Sequence, residues 1–564
     1  MVETRRPWDT ALAAALLLLA ESFGRDVVWL WHRRTAHPTA AGLSPALTAL
    51  ALVVVWLALV APNEPGLVTA GAFLRVPLEG LVVVALAALL PDPARRVLAW
   101  VVGGALGVLV LVKILDVGFF TAFDRPFDPV DDWNYASSGV ETLRESIGST
   151  SANLVLAAGA ALAVVVLVLP VLATLRLTRV AADHRRRSLQ AVAAVGLAWA
   201  LCWAFGMQLV SQAPIASTSA AELAFDEVRA VQTGIQERAQ FADELRHDRY
   251  ASTPEDRLLT GLRGKDVVLL FVESYGPAAL GDPRVDATLD RGARQLQAAG
   301  FSARSGWLTS PTFGGISWLA HSTLHSGVWI NRAWKYDQLL ESDRFTLSRA
   351  FGDAGWRTVD EVPSNNRDWP EGAAFYGFDR IYDRRTVGYR GPTYAYASMP
   401  DQFVLLALQR LELGRPERPP LFAEVDLVSS HTPWTQIPPL IAWSDVGDGS
   451  IYDRLPVDHT GDTDVTEAYG RSIAYSLSAV YSFIERYGRD DLVLVVLGDH
   501  QPATVVTGDD ATHDVPISVI AHDPAVLDRI SDWGWADGVR PAEGSPVWPM
   551  SAFRDRFLGA YGPR

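Results

Sequence analysis

Cysteine is almost absent from this chain: Cys202 is the only one in 564 residues, so no disulfide can form within the chain. The absence of disulfides does not indicate the cellular compartment, because an extracytoplasmic domain can fold without them. An excess of positive charge is absent as well. The net charge is -15, and no basic face is apparent in the C-terminal part, which argues against a nucleic-acid partner.

Long apolar runs are missing from the C-terminal part of the chain and are concentrated in its first 210 residues. Five of them have the length of about 20 residues that a bilayer requires, at roughly 43–62, 68–91, 94–116, 152–175 and 188–208. The sequence therefore predicts a transmembrane domain of α-helices over residues 1–208, followed by a soluble part.

The segment 8–31 does not fit the pattern of these five spans. Its apolar run, 11–20, is too short, and Glu21, Arg25 and Asp26 interrupt the continuation. We interpret it as interfacial or re-entrant, with a sixth span as the alternative. No small-residue cleavage site follows it, so a cleavable signal peptide is not predicted.

Arginines orient the predicted spans, because they precede the first span and then occur in alternate connections. They are Arg33, Arg34, Arg95, Arg96, Arg176, Arg179, Arg185, Arg186 and Arg187. The intervening connections are acidic. By the positive-inside rule the arginine-rich connections are cytoplasmic. We therefore predict a multi-pass protein of the plasma membrane whose C-terminal domain lies outside the cytoplasm.

Residues 209–262 are polar and favour helix, which predicts a connector between the two parts. Within it, the piece 220–246 carries apolar residues at helical spacing among charges. An amphipathic helix on the outer membrane surface and one packed on the soluble domain both fit this pattern.

Residues 263–564 alternate between helical patterns and short apolar strands. The strands are at 267–272, 421–428, 491–497 and 515–521, and the helical patterns at 285–299, 345–354, 400–412 and 464–487. Such alternation is typical of an α/β domain with a doubly wound, mostly parallel sheet.

Two of the buried strands end in groups that can bind a metal ion. Glu273 follows the strand 267–272, and Asp499 and His500 follow the strand 491–497 and a glycine. In open α/β sheets, ligands bind beyond the carboxyl ends of the strands, so these residues lie where a site is expected.

Ser317 follows a predicted tight turn and begins a short predicted helix that Gly327 closes. A serine at this position is commonly only the N-cap of its helix. The helix N-terminus would also stabilise an alkoxide or a bound phosphoryl oxygen, which makes Ser317 a candidate nucleophile.

The ordered set of Glu273, Ser317, the motif Ser430-His431-Thr432-Pro433-Trp434 and the motif Gly498-Asp499-His500 resembles the sulfatase and alkaline phosphatase superfamily. Within it, the chain is most similar to the membrane-anchored branch of lipoteichoic acid synthases and phosphoglycerol transferases. The resemblance covers about 260–540 and implies a catalytic domain with the alkaline phosphatase type of sheet.

The nucleophile is the point at which the chain departs from that branch. Ser317, Leu324 and Gly327 reproduce the spacing at the arylsulfatase nucleophile, whereas the synthases generally use threonine, so Thr312 is the alternate. Sulfatases oxidise their nucleophile within a motif that has proline at the second and arginine at the fourth position after it. In this chain Leu319 and His321 occupy those two positions. An unmodified hydroxyl favours phosphoryl over sulfuryl chemistry.

The resemblance also implies roles for the other residues. Glu273, Ser317, Asp499 and His500 would bind one divalent cation, for which this mixture of oxygen and nitrogen ligands favours Mn²⁺, with Zn²⁺ or Mg²⁺ as alternatives. His431 would contact the phosphoryl group and protonate the leaving alkoxide. The substrate-binding candidates are Arg367, Trp369 and His513.

The function implied is a phosphotransferase that takes a phosphorylated head group from a membrane phospholipid onto Ser317. It would then pass the group, phosphoglycerol or phosphoethanolamine in type, to a glycan or lipid of the cell envelope. With water as acceptor, the same site would make a phosphodiesterase, a phosphatase or a sulfatase-like hydrolase. A third reading, an inactive regulatory or binding domain, does not explain why the metal set is complete.

Overall fold

The computed structural model describes residues 43–129, 132–133, 139–140, 143–144, 148–204, 208–210, 213–214, 216–217, 219–394, 396–434, 438–456, 464–508 and 511–563. The segment 8–31, predicted to be interfacial, lies outside these residues. The described residues divide into two compact units, one within 43–62, 67–113 and 159–226, the other within 63–66, 114–158 and 227–563.

Six helices of the N-terminal part are described: α1 (Leu43–Val60), α2 (Leu78–Leu89), α3 (Asp92–Phe123), α4 (Ser149–Asp183), α5 (Arg185–Ala204) and α6 (Ser219–Arg246). Within the described ranges, α3, α4 and α5 are long and apolar enough to cross a membrane, and α1 and α2 are shorter apolar helices. These helices indicate a membrane protein with a soluble domain. Short strands pair Val76–Pro77 with Ala216–Ser217 and Gln208–Val210 with Ala213–Pro214.

The predicted run 68–91 does not form one continuous helix. Its first half contains the 3₁₀ turn Ala72–Leu74 and an extended Pro77, and α2 covers only 12 residues. Val76 precedes a proline, which disfavours the helical conformation, so the helix begins after Pro77. The apolar composition of the run was therefore a poor guide to the length of its helix.

The second unit is built on one mixed sheet. Its strands are β1 (Asp266–Val272), β2 (Ser302–Thr309), β3 (Arg357–Val362), β4 (Arg380–Asp383), β5 (Leu421–Leu427), β6 (Leu492–Gly498), β7 (Asp514–Ala521), β8 (Ala536–Asp537) and β9 (Val547–Pro549). The order across the described sheet is β8-β2-β7-β6-β1-β5-β3-β4, with β9 also paired to β2. β6, β1, β5, β3 and β4 are parallel, whereas β7 runs antiparallel to β6 and β2.

Helices cover both faces of this sheet. They are α7 (Pro277–Leu280), α8 (Pro283–Ala298), α9 (Ser317–Ser326), α10 (Ala333–Leu340), α11 (Leu347–Asp353), α12 (Pro370–Tyr376), α13 (Asp401–Leu408), α14 (Val465–Tyr487), α15 (Thr504–Thr507), α16 (Pro524–Asp528) and α17 (Ala552–Tyr561). A π-helical turn, Gln409–Leu413, continues α13, and 3₁₀ turns lie at Pro65–Leu67, Glu255–Arg257, Thr260–Leu262, Ser450–Arg454 and Ser531–Trp533.

Alternate residues of the central strand β1 enter two different apolar cores. Val268 and Leu270 belong to a core with α8 and α14, whereas Leu269 and Phe271 belong to one with α9, α11 and α17. Successive side chains of a strand point to opposite faces, and here both faces are covered. The predicted fold class, apolar N-terminal helices followed by a doubly wound, mostly parallel α/β domain, is confirmed.

The C-terminal end of α6 packs on the α/β domain. Phe241 and Leu245 are buried in a small core with Leu319 of α9 and Trp334 of α10. Of the two arrangements that the amphipathic pattern allowed, this end of the helix adopts the one packed on protein.

Candidate active site

Glu273, Asp499 and His500 follow the ends of two neighbouring strands. β1 and β6 are parallel and in register, with Val272 opposite Gly498. Because both strands end at the same edge of the sheet, the residues that follow them meet there. Their side chains are buried, with 6%, 1% and 0% of the respective residue surfaces exposed. This edge gathers the two acids and the imidazole that the sequence predicted as ligands.

Ser317 reaches the same edge from a tight turn that leads into α9. Gly314 in this turn has a φ of +68°, and a Cβ added there would lie 1.7 Å from the carbonyl oxygen of Ala122, so only glycine fits. Ile316 has a φ of +64°, which is an outlier for a β-branched residue. α9 begins directly after it, with Ser317 as its first residue.

The Ser317 hydroxyl contacts the residues at the strand ends. Its Oγ lies 3.1 Å from Oε2 of Glu273, to which it donates, and 3.3 Å from Nε2 of His500. We call Glu273, Ser317, Asp499 and His500 the strand-end cluster. A hydroxyl that can act as a nucleophile is thus in contact with candidate metal ligands.

The two carboxylate oxygens of Asp499 differ in the hydrogen bonds that they accept. Oδ1 accepts hydrogen bonds from the backbone N–H groups of Ser274 and His500, at 2.8 and 2.7 Å. Oδ2 is buried and has no hydrogen-bond partner among the residues that the structure describes. A buried carboxylate oxygen without a partner is costly, and a bound cation would satisfy it.

The ring of His500 is oriented as a metal ligand would be. Its Nδ1 lies 2.7 Å from the carbonyl oxygen of Gln501. A carbonyl can only accept, so Nδ1 carries a hydrogen and Nε2 is directed at the cluster, the arrangement that metal-binding histidines adopt. Single donor atoms of Glu273, Asp499 and His500 all lie within 4.8 Å of one another. The residues therefore fit a divalent cation with mixed nitrogen and oxygen ligands.

Protons balance the charges of this cluster when no cation is bound. Burial would raise the pKa of Glu273, but the hydrogen bond and the charge of His500 lower it below its ordinary value. Burial lowers the pKa of His500, yet the charges of Asp499 and Glu273 raise it to about 9. A divalent cation would replace this imidazolium proton, because a histidine ligand must be neutral.

His431 approaches the site from the end of β5. The preceding Ser430 donates a hydrogen bond from its Oγ to the backbone oxygen of Glu273 at 2.7 Å, which ties this loop to the strand-end cluster. The His431 ring stacks on Tyr396 with centroids 3.7 Å apart, and its Nδ1 lies 2.6 Å from the carbonyl oxygen of Thr432. Burial lowers the pKa of this imidazole.

A cavity of about 680 Å³ joins these residues. Its walls include Glu273, Ser317, Asp499 and His431 together with Trp318, Tyr336, Asp360, Trp369, Tyr376, Phe378, Tyr396, Glu424 and Asp426. Trp369, a predicted substrate-binding residue, therefore lies on the cavity wall, where its ring is 5.7 Å from that of Tyr376. Five acids and eight Phe, Trp or Tyr rings are among the residues that line this cavity.

The other predicted residues lie elsewhere. Arg367 is exposed and is not among the residues that line the cavity. His513 places its Nε2 3.2 Å from Oδ2 of Asp124, also away from the lining. Thr312 is buried, and its Oγ1 donates to the carbonyl oxygen of Gly315 at 2.7 Å. Ser317, rather than Thr312, contacts the candidate ligands.

A second group of ionisable residues on the cavity wall was not predicted. It consists of His321 on α9 and of Glu424 and Asp426 on β5, which we call the helix-face cluster. Two signals in the sequence point to it. His321 follows Ser317 by one helical turn on the same face, and acids at alternate positions of an otherwise apolar strand are unusual.

Comparisons with known proteins give no family model and no curated protein that matches this chain. Solved structures are similar at low identity. The lipoteichoic acid synthase LtaP from Listeria monocytogenes matches at 16% identity and a TM-score of 0.36, over 58% of this chain and 78% of its own. A protein in the alkaline phosphatase superfamily from Vibrio parahaemolyticus matches at 15% and 0.37, over 58% and 75%.

A third match spans both parts of the chain. Lipooligosaccharide phosphoethanolamine transferase A from Neisseria meningitidis, an integral membrane protein, matches at 13% identity and a TM-score of 0.43, over 92% of this chain and 95% of its own. The names of these structures refer to the superfamily, and to the kind of enzyme, that the sequence resembles. Similarities of this size do not assign chemistry, which has to be inferred from the residues of the site.

Proposed function

We propose that this protein is a membrane-bound, metal-dependent phosphotransferase that moves a phosphorylated lipid head group through a covalent intermediate on Ser317. One observation carries the proposal: the Ser317 Oγ lies 3.1 Å from Glu273 and 3.3 Å from His500, beside a buried Asp499 oxygen that accepts no hydrogen bond in the described structure and lies 3.5 Å from Nε2 of His500. Glu273, Asp499, His500 and Ser317 would hold one divalent cation, for which we favour Mn²⁺ over Zn²⁺ and Mg²⁺. Such a cation would lower the pKa of the hydroxyl and neutralise charge on a phosphoryl group.

The reaction would proceed in two displacements. In the first, the Ser317 Oγ, as the alkoxide after its proton has passed to solvent, attacks the phosphorus of a phospholipid, and the bond between phosphorus and the diacylglycerol oxygen breaks. In the second, a hydroxyl of a cell-envelope glycan or lipid attacks the phosphorylated Ser317, whose P–O bond breaks to restore the free serine. This is the double-displacement scheme of covalent catalysis.

His431 is the candidate proton carrier for these steps. Diacylglycerol leaves as an alkoxide and needs a proton, which an imidazolium can supply, and the neutral ring can then take the proton from the acceptor hydroxyl. Burial lowers the pKa of His431, whereas the charge of Glu273 raises it. The negative charge of a bound phosphoryl group would raise it further, so protonation of the ring would follow occupation of the site.

A lipid donor agrees with the N-terminal part of the chain. α3, α4 and α5 are apolar and long enough to cross a membrane. We propose that the chain spans the plasma membrane several times and that the domain from 263 onward lies outside the cytoplasm. A donor phospholipid would then reach the enzyme in the plane of the membrane. The aromatic and acidic cavity walls, Trp369 included, would bind its head group.

The test is to incubate the full-length protein, purified in detergent and loaded with Mn²⁺, with phosphatidylglycerol or phosphatidylethanolamine labelled in the head-group phosphate. We expect diacylglycerol to form and the label to appear on the protein and on an added hydroxyl acceptor. No turnover with either lipid would contradict a lipid donor. Free head-group phosphate as the only product would assign the site to a phosphodiesterase or phosphatase, in which water is the acceptor.

A further inference from the structure

The helix-face cluster lies on the face of the sheet that α9 covers, with Asp426 one residue before the end of β5. Glu424 and Asp426 occupy alternate positions of β5, opposite Leu269 and Phe271 of β1. Alternate residues of a strand share a face, so both acids point toward α9. His321 of α9 meets them there, with its ring stacked on Phe271 at 3.8 Å between centroids.

The atoms of this cluster are arranged around a common point. Nδ1 of His321 lies 3.1 Å from Oε1 of Glu424 and 3.5 Å from Oδ1 of Asp426. One donor atom from each of the three residues lies within 4.8 Å of the other two. A cation with ligand bonds near 2.1 Å separates its neighbouring ligands by roughly 3.0–3.4 Å. The spacings are thus those of atoms that could share one metal ion.

Two further carboxylate features point to a missing positive charge. Oδ1 of Asp426 is buried and accepts no hydrogen bond among the described residues, although Nδ1 of His321 lies 3.5 Å from it. Asp360 pairs with Glu424 across β3 and β5, is only 4% exposed and lines the cavity. No hydrogen bond or salt bridge to its carboxylate is found in the part of the chain that the structure describes.

The local imidazoles compensate only part of this charge. His325 places its Nε2 2.6 Å from the second oxygen of Glu424, and His321 faces Glu424 and Asp426. Three carboxylates on one largely buried wall are costly unless protons or a cation neutralise them.

We propose that His321, Glu424 and Asp426 bind a second divalent cation, in addition to the one at the strand-end cluster, with Asp360 beside it as an additional negative charge. One imidazole nitrogen with carboxylate oxygens selects Mn²⁺ or Zn²⁺ over Ca²⁺ and Mg²⁺. The cation would put positive charge on the wall of the cavity that contains Ser317. Its expected effect on the reaction is on the binding of an anionic substrate.

The test is to count the cations bound by the full-length protein in detergent. The protein is stripped with a chelator, saturated with MnCl₂ or ZnCl₂, desalted and analysed by inductively coupled plasma mass spectrometry. We expect about two equivalents per chain for the wild type and about one for Asp426→Asn or Glu424→Gln. Asp426→Glu, which keeps the carboxylate, should restore the second equivalent. Asp490→Asn, at a carboxylate that is 91% exposed, is the matched control and should keep both.

The Asp499→Asn variant separates this proposal from the proposed function. If both sites bind, Asp499→Asn retains about one equivalent, and the double variant Asp426→Asn with Asp499→Asn retains none. If Asp499→Asn loses nothing while Asp426→Asn loses a cation, the second site stands and the catalytic metal assignment fails. An unchanged count in Asp426→Asn would overturn the second site. Crystals of the Mn²⁺-soaked wild type check it without a variant: an anomalous peak bonded to His321 and Asp426 is expected, and its absence contradicts the proposal.

Discussion

The two clusters in the cavity contain the same kinds of groups but differ in how the fold presents them. The strand-end cluster combines Glu273, Asp499 and His500 with the hydroxyl of Ser317, which begins a helix. The helix-face cluster lies within β5 and one turn along α9, and no hydroxyl is found within its described triad of ligands. A nucleophile next to ligands suits catalysis, whereas ligands alone suit binding. The comparison predicts large effects on rate at the first cluster and small ones at the second.

The largest difference should come from removing the nucleophile. Ser317→Ala should lower the rate of head-group transfer on the order of 10⁴-fold or more, because no covalent intermediate can form. Thr312→Ala is the matched control and should stay within a few-fold of the wild type. The measurement is diacylglycerol release from labelled phospholipid. Loss of activity in the threonine variant with retention in the serine variant would reverse the assignment.

The next effect contrasts one acid from each cluster. Asp499→Asn should lower transfer on the order of 10³-fold, since a metal contributes several kcal/mol of transition-state stabilisation. Asp426→Asn should raise KM and change kcat by less than about tenfold. Steady-state kinetics with varied lipid in mixed micelles measures both parameters. Equal losses of kcat in the two variants would contradict the assignment of catalysis to the strand-end cluster and of binding to the helix-face cluster.

The proton carrier should have an intermediate effect. His431→Asn should lower kcat on the order of 10²-fold, the usual contribution of a general acid or base. The count of bound cations should not change, because the ring is not a proposed ligand. A donor lipid with a more acidic leaving group should lose less activity in this variant. If the loss is the same for every leaving group, His431 does not protonate it.

Metal affinity should depend on pH at the strand-end cluster. The charges of Asp499 and Glu273 raise the pKa of His500 to about 9, so below that pH a cation must displace a proton. We expect the Kd for Mn²⁺ to increase about tenfold for each unit of pH lost between roughly 8.5 and 7. Isothermal titration calorimetry in buffers of different ionisation enthalpy measures the proton released. A Kd independent of pH would exclude His500 as a ligand.

The smallest effect is on stability. Glu424 is buried beside His321 and His325, so Glu424→Gln should lower the free energy of unfolding by about 1–3 kcal/mol, as unsatisfied buried groups do. The exposed Glu485→Gln should change it by less than about 0.5 kcal/mol. Thermal unfolding of the full-length protein, followed by tryptophan fluorescence, compares the two. Equal unfolding midpoints for the two variants would mean that the contacts of Glu424 with His321 and His325 do not stabilise the fold.

The contrast between the clusters also explains what the sequence could predict. Glu273 and Asp499 each come after a continuous apolar run. Because ligands bind beyond the carboxyl ends of the strands in an open α/β sheet, the sequence alone predicts that these two acids lie in one site. Glu424 and Asp426 lie inside a strand, and only the register with β1 and the position of α9 bring them to His321. The alternation of the two acids within β5 is visible in the sequence, but the position of α9 against that strand is not.

The same limit applies to the fold. The buried strands β1, β5, β6 and β7 were predicted from their apolar runs, whereas β2 was missed because it reads Ser-Ala-Arg-Ser-Gly-Trp-Leu-Thr. Pairing with β7 makes it a strand, and such pairing is not local in sequence. In the N-terminal part, composition predicted a span over 68–91, but the local effect of Pro77 shortens its helix.

The central claim is that Ser317 becomes covalently phosphorylated by a membrane lipid. The most direct measurement is to quench the Mn²⁺-loaded protein with acid during turnover of phosphatidylglycerol or phosphatidylethanolamine and to map its peptides by mass spectrometry. We predict a head-group phosphate on Ser317 that disappears on addition of acceptor and is absent from the Asp499→Asn variant. An adduct on Thr312, or turnover with no adduct on Ser317 under conditions that block the second step, would contradict the account.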